Sequence, residues 1–323
     1  MPLYDSPTCR NPHHCDYRPT NAAQMKQVLS IMVALFACSP LLFAKQSRLS
    51  SGEHFITQSW SQEKSYKRPY FVNVPTDADA ARLPVLIYLH GNGGNAEQSL
   101  RGFLRRHPAI ASGYLLIFPQ GYLKSWNIVS ERSKANDRAF IEAIVAEVCS
   151  HVNAEKGTMS IMGVSNGAAL VNQLAIESDL PNVLNYITAV SPLNEFQHDG
   201  SDFKAKGDYN TYLTSATPSP GKRILNVSGT EDRLVPYAGG PSQGIPGKGR
   251  KLAFVSAETS IFLWAKAMGF QGNPLVQPNQ RTDRCELFSY LNGNVIHYKA
   301  LGEGHGATRV ISEQVLLDFL QGK

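Results

Sequence analysis

The run Ser160-Ile161-Met162-Gly163-Val164-Ser165-Asn166-Gly167-Ala168-Ala169-Leu170 decides how the rest of the chain is read. An apolar, strand-like segment enters the pattern Gly-x-Ser-x-Gly, and a helix-like run from Ala168 to Ile176 leaves it. A strand that turns so sharply into a helix holds the intervening serine in strained backbone geometry, a nucleophile elbow. Gly163 and Gly167 lack the β-carbons that would clash on either side of that turn. The Ser165 hydroxyl is pushed out above the sheet, ahead of a helix N-terminus with free N–H groups. Ser165 is the candidate covalent nucleophile.

A second copy of the pattern acts as a control. Gly240-Pro241-Ser242-Gln243-Gly244 has the same spacing but lies between Tyr237-Ala238-Gly239 and Ile245-Pro246-Gly247-Lys248-Gly249. Proline and clustered glycine predict an irregular loop there, with no strand before it and no helix after it. The flanking context, more than the motif, selects Ser165.

At 323 residues and 42% hydrophobic composition, the chain is long and apolar enough to bury one large core. The net charge of +5 is scattered, with no run of Lys and Arg to track phosphates, so no nucleic-acid partner is expected. Residues 1–24 are polar and aperiodic; Cys9, His13, His14 and Cys15 are too cramped for a zinc knuckle. Met25-Lys26, an apolar run from Val28 to Ala37, and Leu41-Leu42-Phe43-Ala44 before Lys45 describe a secretory signal peptide over 25–44. Translation is then expected to start at Met25, with 1–24 an upstream extension and cleavage after Ala44. Leu35-Phe36-Ala37-Cys38 fits a lipoprotein site poorly, and Ser39-Pro40 argues against an uncleaved anchor. The expected product is secreted or periplasmic, with no membrane attachment after cleavage. Of the five cysteines, Cys149 and Cys285 would remain, enough for at most one disulfide.

The remaining chain alternates strand and helix signals. Arg68 to Pro75 alternates apolar and polar residues as a half-exposed strand, after a polar stretch running to Tyr66. Pro84 to Leu89 is continuously apolar, as in a strand buried on both faces of a parallel sheet. Helices are expected over 96–106, 136–152, 256–268 and 309–320. Strands are expected over 114–118, 158–162, 186–190, 223–228, 286–291 and 294–299. Residues 192–222 break this rhythm and read as a lid or substrate-facing insertion. The alternation predicts a doubly wound α/β sheet.

A serine hydroxyl needs a base within hydrogen-bond reach and an acid to orient that base. After an elbow the order along the chain is nucleophile, acid, histidine. Three histidines follow Ser165. His198 lies in the insertion, and His297 sits within a strand where a packed imidazole is the simpler reading. His305 stands in the Gly-rich loop Leu301-Gly302-Glu303-Gly304-His305-Gly306 directly after a strand, and is the candidate general base. The turn Gly229-Thr230-Glu231-Asp232 offers two acids, Glu231 and Asp232. Asp137 opens a helix and reads as its cap, while Asp202 and Asp208 read as solvated loop charges. An oxyanion hole needs two backbone N–H groups, expected from Asn166 and from Asn92 in His90-Gly91-Asn92-Gly93-Gly94. That glycine loop lacks the following Lys-Ser/Thr of a phosphate cradle. No metal-ligand spacing occurs after residue 44, so no cofactor and no metal are expected.

Together, Leu89 to Ala96, Gly163 to Gly167, Gly229 to Asp232 with Val235 to Gly240, and Gly302 to His305 resemble one branch of the α/β-hydrolase superfamily. That branch holds secreted polyhydroxybutyrate depolymerases and feruloyl or acetylxylan esterases. The resemblance covers about residues 70–323. It implies the α/β-hydrolase fold, a mostly parallel central sheet with helices on both faces, as one catalytic domain over 45–323. It also implies ester hydrolysis through an acyl-enzyme, with Ser165, Asp232 and His305 as triad, and so selects Asp232 over Glu231. Trp126 falls where the family often places a substrate-side tryptophan; a core tryptophan is the alternative. The sequence departs from the family at Asn92, often cysteine there, and at Gly306-Ala307-Thr308, usually Thr-Trp-Pro. No polymer-binding module or Thr-rich linker is expected after the catalytic region. The expectation is a serine carboxylesterase acting on a small-molecule or polymeric ester. A prolyl-oligopeptidase-type serine peptidase and a non-catalytic polymer-binding relative are the alternatives.

Overall fold

The computed structural model describes residues 47–76 and 82–323. The proposed signal peptide, its upstream extension, and Cys9, His13, His14, Cys15 and Cys38 lie outside the described residues. No helix among the described residues is long and apolar enough to cross a membrane.

An antiparallel hairpin, β1 (Gly52–Trp60) and β2 (Glu63–Asn73), comes first. The chain then runs through β3 (Val85–Leu89), α1 (Ala96–Arg106), α2 (Pro108–Gly113), β4 (Leu115–Pro119) and α3 (Asp137–Ser150). Next come β5 (Met159–Val164), α4 (Asn166–Glu177), β6 (Val183–Ala189), and a short ribbon of β7 (Phe203–Ala205) and β8 (Thr214–Ala216). β9 (Arg223–Gly229), β10 (Gly240–Pro246), β11 (Lys251–Phe254) and α5 (Ala257–Ala267) follow. β12 (Gln280–Arg281), β13 (Cys285–Tyr290), β14 (Val295–Ala300) and α6 (Glu313–Leu320) complete the order.

Ten strands form the main sheet in the order β1-β2-β4-β3-β5-β6-β9-β14-β13-β12. The six central strands, β4 to β14, run parallel, and the strands outside them pair antiparallel. Side-chain alternation divides the core. Val85, Ile87 and Leu89 of β3 face α3, α4 and α5, whereas Leu86 joins the opposite cluster with α1 and α6. Loops leaving the carboxyl ends of β3, β5, β9 and β14 carry the residues singled out in the sequence, the usual site of ligand binding in such sheets.

Helix starts follow the capping residues. Asn95, Asn136, Ser256 and Ser312 accept from the backbone three residues on at α1, α3, α5 and α6. α4 differs: Ser165 occupies its N-cap position and makes no side-chain cap, leaving the hydroxyl free for other work. At α3 the cap is Asn136, not Asp137 as read from sequence. Asp137 instead is buried in an ion pair with Arg68, 2.5 Å from Oδ1 to Nη2.

Three segments depart from expectation. The polar stretch ahead of Tyr66 is most of the β1–β2 hairpin, whose first strand half-buries His54, Ile56, Gln58 and Trp60 in alternation. Gly240–Pro246 is a strand paired with β11, where an irregular loop was expected. Residues 192–222 are partly ordered as the β7–β8 ribbon, and their buried Asn210 and Tyr212 brace the loop after β4.

Candidate active site

At the carboxyl end of β5 the backbone turns through Ser165 at φ 54° and ψ −119°. A β-carbon on Gly163 would lie 2.4 Å from the Gly167 carbonyl, and one on Gly167 only 2.3 Å from the Leu89 carbonyl oxygen. Only glycine permits β3, β5 and α4 to pass this closely. The Ser165 amide donates to Ala189 O at 2.8 Å, tying the strained residue to β6.

Ser165 Oγ lies 2.8 Å from His305 Nε2, and His305 Nδ1 lies 2.7 Å from Asp232 Oδ2. Because an ionised carboxylate only accepts, Nδ1–H donates to Asp232, and Nε2 presents its lone pair to the serine O–H. Asp232 is buried, and its Oδ1 accepts from the Leu234 and Val235 amides at 2.9 and 3.0 Å. Those two bonds fix the carboxylate plane. Glu231 is exposed and its amide donates to Glu303 O, so of the two acids it is Asp232 that reaches the histidine. The acid and histidine loops are laced directly: Gly302 N donates to Thr230 Oγ1 at 2.8 Å. A β-carbon on Gly229 would stand 2.2 Å from Glu303 O, so this glycine lets the loops approach.

The other histidines are engaged elsewhere. His198 is buried edge-on against Phe203 and accepts from Gly200 N. His297 is buried between Asn226 and Tyr237. Ser242 is also buried, its Oγ accepting from the Gly244 and Ile245 amides.

Asn92 and Asn166 both border the same cavity as Ser165. Asn92 makes no hydrogen bond among the described residues, and the Asn166 amide opens α4, where no intrahelical acceptor exists. A β-carbon on Gly91 would touch Ser165 Cβ at 3.6 Å, so the Asn92 loop runs directly beside the serine.

Trp126 corrects the expectation of a substrate-side residue. It is fully buried and does not line the cavity. Its indole N–H donates to His90 O at 2.7 Å, while its main chain pairs twice with the Asn166 side chain: Trp126 N to Oδ1 at 2.7 Å and Asn166 Nδ2 to Trp126 O at 3.1 Å. Trp126 thus joins the Asn92 loop to the start of α4 from behind. His90 is neutral in this arrangement: Nδ1 donates to Gly91 O, Nε2 accepts from Gly121 N, and burial lowers its pKa.

Glu131 escaped the sequence reading, since nothing in a polar loop marks it. Its Oε2 accepts from the Ile128 and Val129 amides at 2.9 and 2.7 Å, and its Oε1 from Asn166 Nδ2 at 3.1 Å. Burial pushes its carboxyl pKa up, against the opposing pull of those amides.

The cavity above these groups measures about 900 Å³. Its lining is mixed: Lys124, Ser130, Glu131 and Arg132 are polar, and Ile128, Leu234, Ile245, Leu252 and Phe254 are apolar. Asn194 is the only lining residue drawn from the 192–222 insertion, which therefore acts more as a brace than a lid. Among the described residues no group of three His, Cys, Asp or Glu side chains is arranged to hold a metal ion.

No family model matches the chain. Feruloyl esterase B of Piromyces equi is 27% identical over 220 residues, 66% of this chain. The match spans 37% of that relative's length. Among solved structures, an acetyl xylan esterase from Aspergillus awamori superposes with a TM-score of 0.57 at 13% identity, covering 84% of this chain and all of that one. A thermophilic esterase from Thermogutta terrifontis gives 0.49 at 13% identity over 83% of this chain and 91% of that one. The chain is an α/β-hydrolase by fold. In sequence it is similar to the relative named a feruloyl esterase.

Proposed function

We propose that this protein is a serine carboxylesterase of the feruloyl-esterase type. The observation that carries the reading is the continuous line from Ser165 Oγ through His305 to Asp232, with both links under 3 Å, opening into the 900 Å³ cavity. In acylation His305 Nε2 takes the serine proton as Oγ attacks the ester carbonyl. The tetrahedral oxyanion is held by the Asn92 and Asn166 amides, and His305 returns the proton to the departing alcohol. In deacylation His305 takes a proton from water, whose oxygen attacks the acyl carbonyl; return of that proton to Ser165 Oγ releases the acid. Asp232 keeps Nδ1 protonated and stabilises the imidazolium.

The mixed polar and apolar lining suits an ester that carries both kinds of group, and the relative named a feruloyl esterase supports that class. The leader-like segment at 25–44 supports an exported enzyme.

The test is hydrolysis of p-nitrophenyl acetate and butyrate, methyl ferulate, acetylated xylan and a polyhydroxyalkanoate film, with Ser165→Ala run alongside. Hydrolysis of methyl ferulate that disappears in the variant is the expected result. Activity on the film alone would move the assignment to a depolymerase, and identical rates for both proteins on every substrate would remove Ser165 as nucleophile.

A further inference from the structure

Two cationic side chains on the cavity are engaged by nothing else in the described structure. Lys124 and Arg132 both line the cavity and both are exposed, so a molecule entering it can reach them. Among the described residues neither Lys124 Nζ nor the Arg132 guanidinium has a hydrogen-bond acceptor or a carboxylate partner. Other cations on the segments around the cavity are engaged: Lys134 Nζ donates to Glu131 O, Lys248 Nζ donates to Asn210 O, and Arg250 pairs with Glu195. Among the described residues the only Asp or Glu on the lining is Glu131. Its oxygens are taken by the Ile128 and Val129 amides and by Asn166 Nδ2, so it forms no ion pair with either cation.

Both cations stand on held backbone. Leu123 and Lys124 take left-handed geometry in succession, at φ 54° and 60°. Non-glycine residues rarely adopt it, and it persists where surrounding contacts impose it. Lys124 N donates to Gly121 O at 3.0 Å, and Lys124 O accepts from Gly93 N at 2.7 Å, next to the oxyanion residue Asn92. Arg132 O accepts from Gln62 Nε2 at 2.9 Å, and Gln62 Oε1 accepts from Lys134 N at 2.7 Å. The turn of the β1–β2 hairpin thus clamps the Arg132 segment. The main chain is fixed while the charged ends stay free, in a cleft whose low-dielectric walls focus their field on an incoming anion. Guanidinium and ammonium groups both bind carboxylates.

We propose that Lys124 and Arg132 are specificity-determining residues that select an ester carrying a free carboxylate. The inference rests on the esterase reading and narrows its substrate class. Two kinds of ester have this chemistry: a monoester of a dicarboxylic acid, charged on the acyl side, and an ester of a hydroxy acid, charged on the alcohol side. Neither cation takes part in the proton transfers. They act on capture of the substrate, which is read in kcat/KM.

Pairs of esters that differ only in charge isolate the effect. Monomethyl adipate is compared with its primary amide, methyl 5-carbamoylpentanoate, and 4-acetoxybutanoate with 4-acetoxybutanamide. The readout is the ratio of kcat/KM within each pair, which cancels any general change in activity. At low ionic strength the wild type is expected to favour the anion of at least one pair by about three- to tenfold, and the pair that shows it tells which side of the ester bears the charge. Salt at about 0.5 M should bring that ratio toward unity. Lys124→Gln and Arg132→Gln should each lower it, and Lys124→Glu combined with Arg132→Glu should turn it below one. Arg105→Glu combined with Lys266→Glu, at exposed positions in the last turns of α1 and α5, removes the same charge from the whole protein and should leave the ratio as in the wild type. A wild type indifferent within both pairs overturns the inference. So does a ratio that the double reversal at 124 and 132 leaves unchanged, or that the distant reversal moves as far. Each of these leaves the esterase reading standing. If Ser165→Ala matches the wild type on all four esters, the esterase reading itself falls and takes the inference with it.

Discussion

Glu131 grips the side chain of Asn166, with Oε1 3.1 Å from Nδ2, while the backbone amide of Asn166 opens toward the serine from the first turn of α4. The same asparagine accepts from Trp126 N, and Trp126 donates to His90 O on the loop bearing Asn92. The two candidate oxyanion donors come from different strands, yet one loop holds both in place. Truncating Glu131 to Ala frees the Asn166 side chain and leaves the Ile128 and Val129 amides without their acceptor. The expected outcome is a fall in kcat of about ten- to a hundredfold, with KM for a short ester nearly unchanged. Trp126→Phe, which keeps the bulk and removes the N–H, should show a smaller loss of the same form. A rise in KM alone in either variant would place these residues in substrate binding instead.

Gly167 makes the closest approach in the elbow. With its added β-carbon 2.3 Å from the Leu89 carbonyl oxygen, Gly167→Ala must push α4 away from β3 or displace the backbone under Ser165. Either movement breaks the 2.8 Å contact between Ser165 and His305. Gly167→Ala is expected to lose esterase activity by at least about a hundredfold and to unfold more readily by about 1–3 kcal/mol. By contrast, Gly102→Ala on α1, where nothing lies within 4 Å of the new carbon, should be neutral or slightly stabilising. Denaturation midpoints and turnover of a chromogenic ester measure both.

The elbow was legible because its requirements are local: glycines two residues either side of a serine, a strand before and a helix after. The long central strands were legible for a similar reason, since burial on both faces leaves a continuous apolar run such as Val85–Leu89. The β1–β2 hairpin was not, because each face of β1 mixes polar and apolar residues: His54 and Gln58 are half-buried beside Ile56 and Trp60, while Phe55 is exposed beside Glu53, Thr57 and Ser59. Nor was β10, where Gly-Pro-Ser-Gln-Gly-Ile-Pro has no strand propensity and pairing with β11 imposes the extended form. Glu131 is an ordinary loop residue in sequence. Its role depends on which amides the fold brings to one carboxylate, and no periodicity records that.

The buried pair Arg68–Asp137 links β2 to the start of α3. Asp137 Oδ2 also accepts from Asn127 N at 2.6 Å, immediately after Trp126. The Arg68 guanidinium lies 3.8 Å from the Phe140 ring centroid, and burial lowers its pKa. Removing one partner strands the other charge in the core, so Asp137→Ala is expected to destabilise by about 3–5 kcal/mol. The double variant Arg68→Met with Asp137→Ala should recover part of that loss, because no charge is then left unpaired. Urea denaturation of the wild type, both single variants and the double variant decides it, and additive losses would show that the pair is not coupled.

His297 sets an acid limit on the fold. It is fully buried on β14, with Nδ1 2.8 Å from Asn226 Oδ1 and Nε2 2.9 Å from Tyr237 Oη. Burial is the main cause that brings its pKa down from the usual 6.5 to about 3; Glu258 opposes the shift and Lys299 reinforces it. Between those values the unfolded chain binds a proton at this residue and the folded chain does not. Stability therefore falls as pH drops through that window and is fully present above it, by on the order of 5 kcal/mol for the whole span. His297→Gln cannot take up the proton in either state. It should be less stable than the wild type at pH 7, having lost the fitted imidazole, yet decline more gently toward pH 4. Unfolding free energies from urea titrations at pH 7, 5.5 and 4.5 give the two slopes. Parallel slopes would mean that His297 accepts its proton without unfolding the core, and that the acid sensitivity arises at the other buried histidines, His90 and His198.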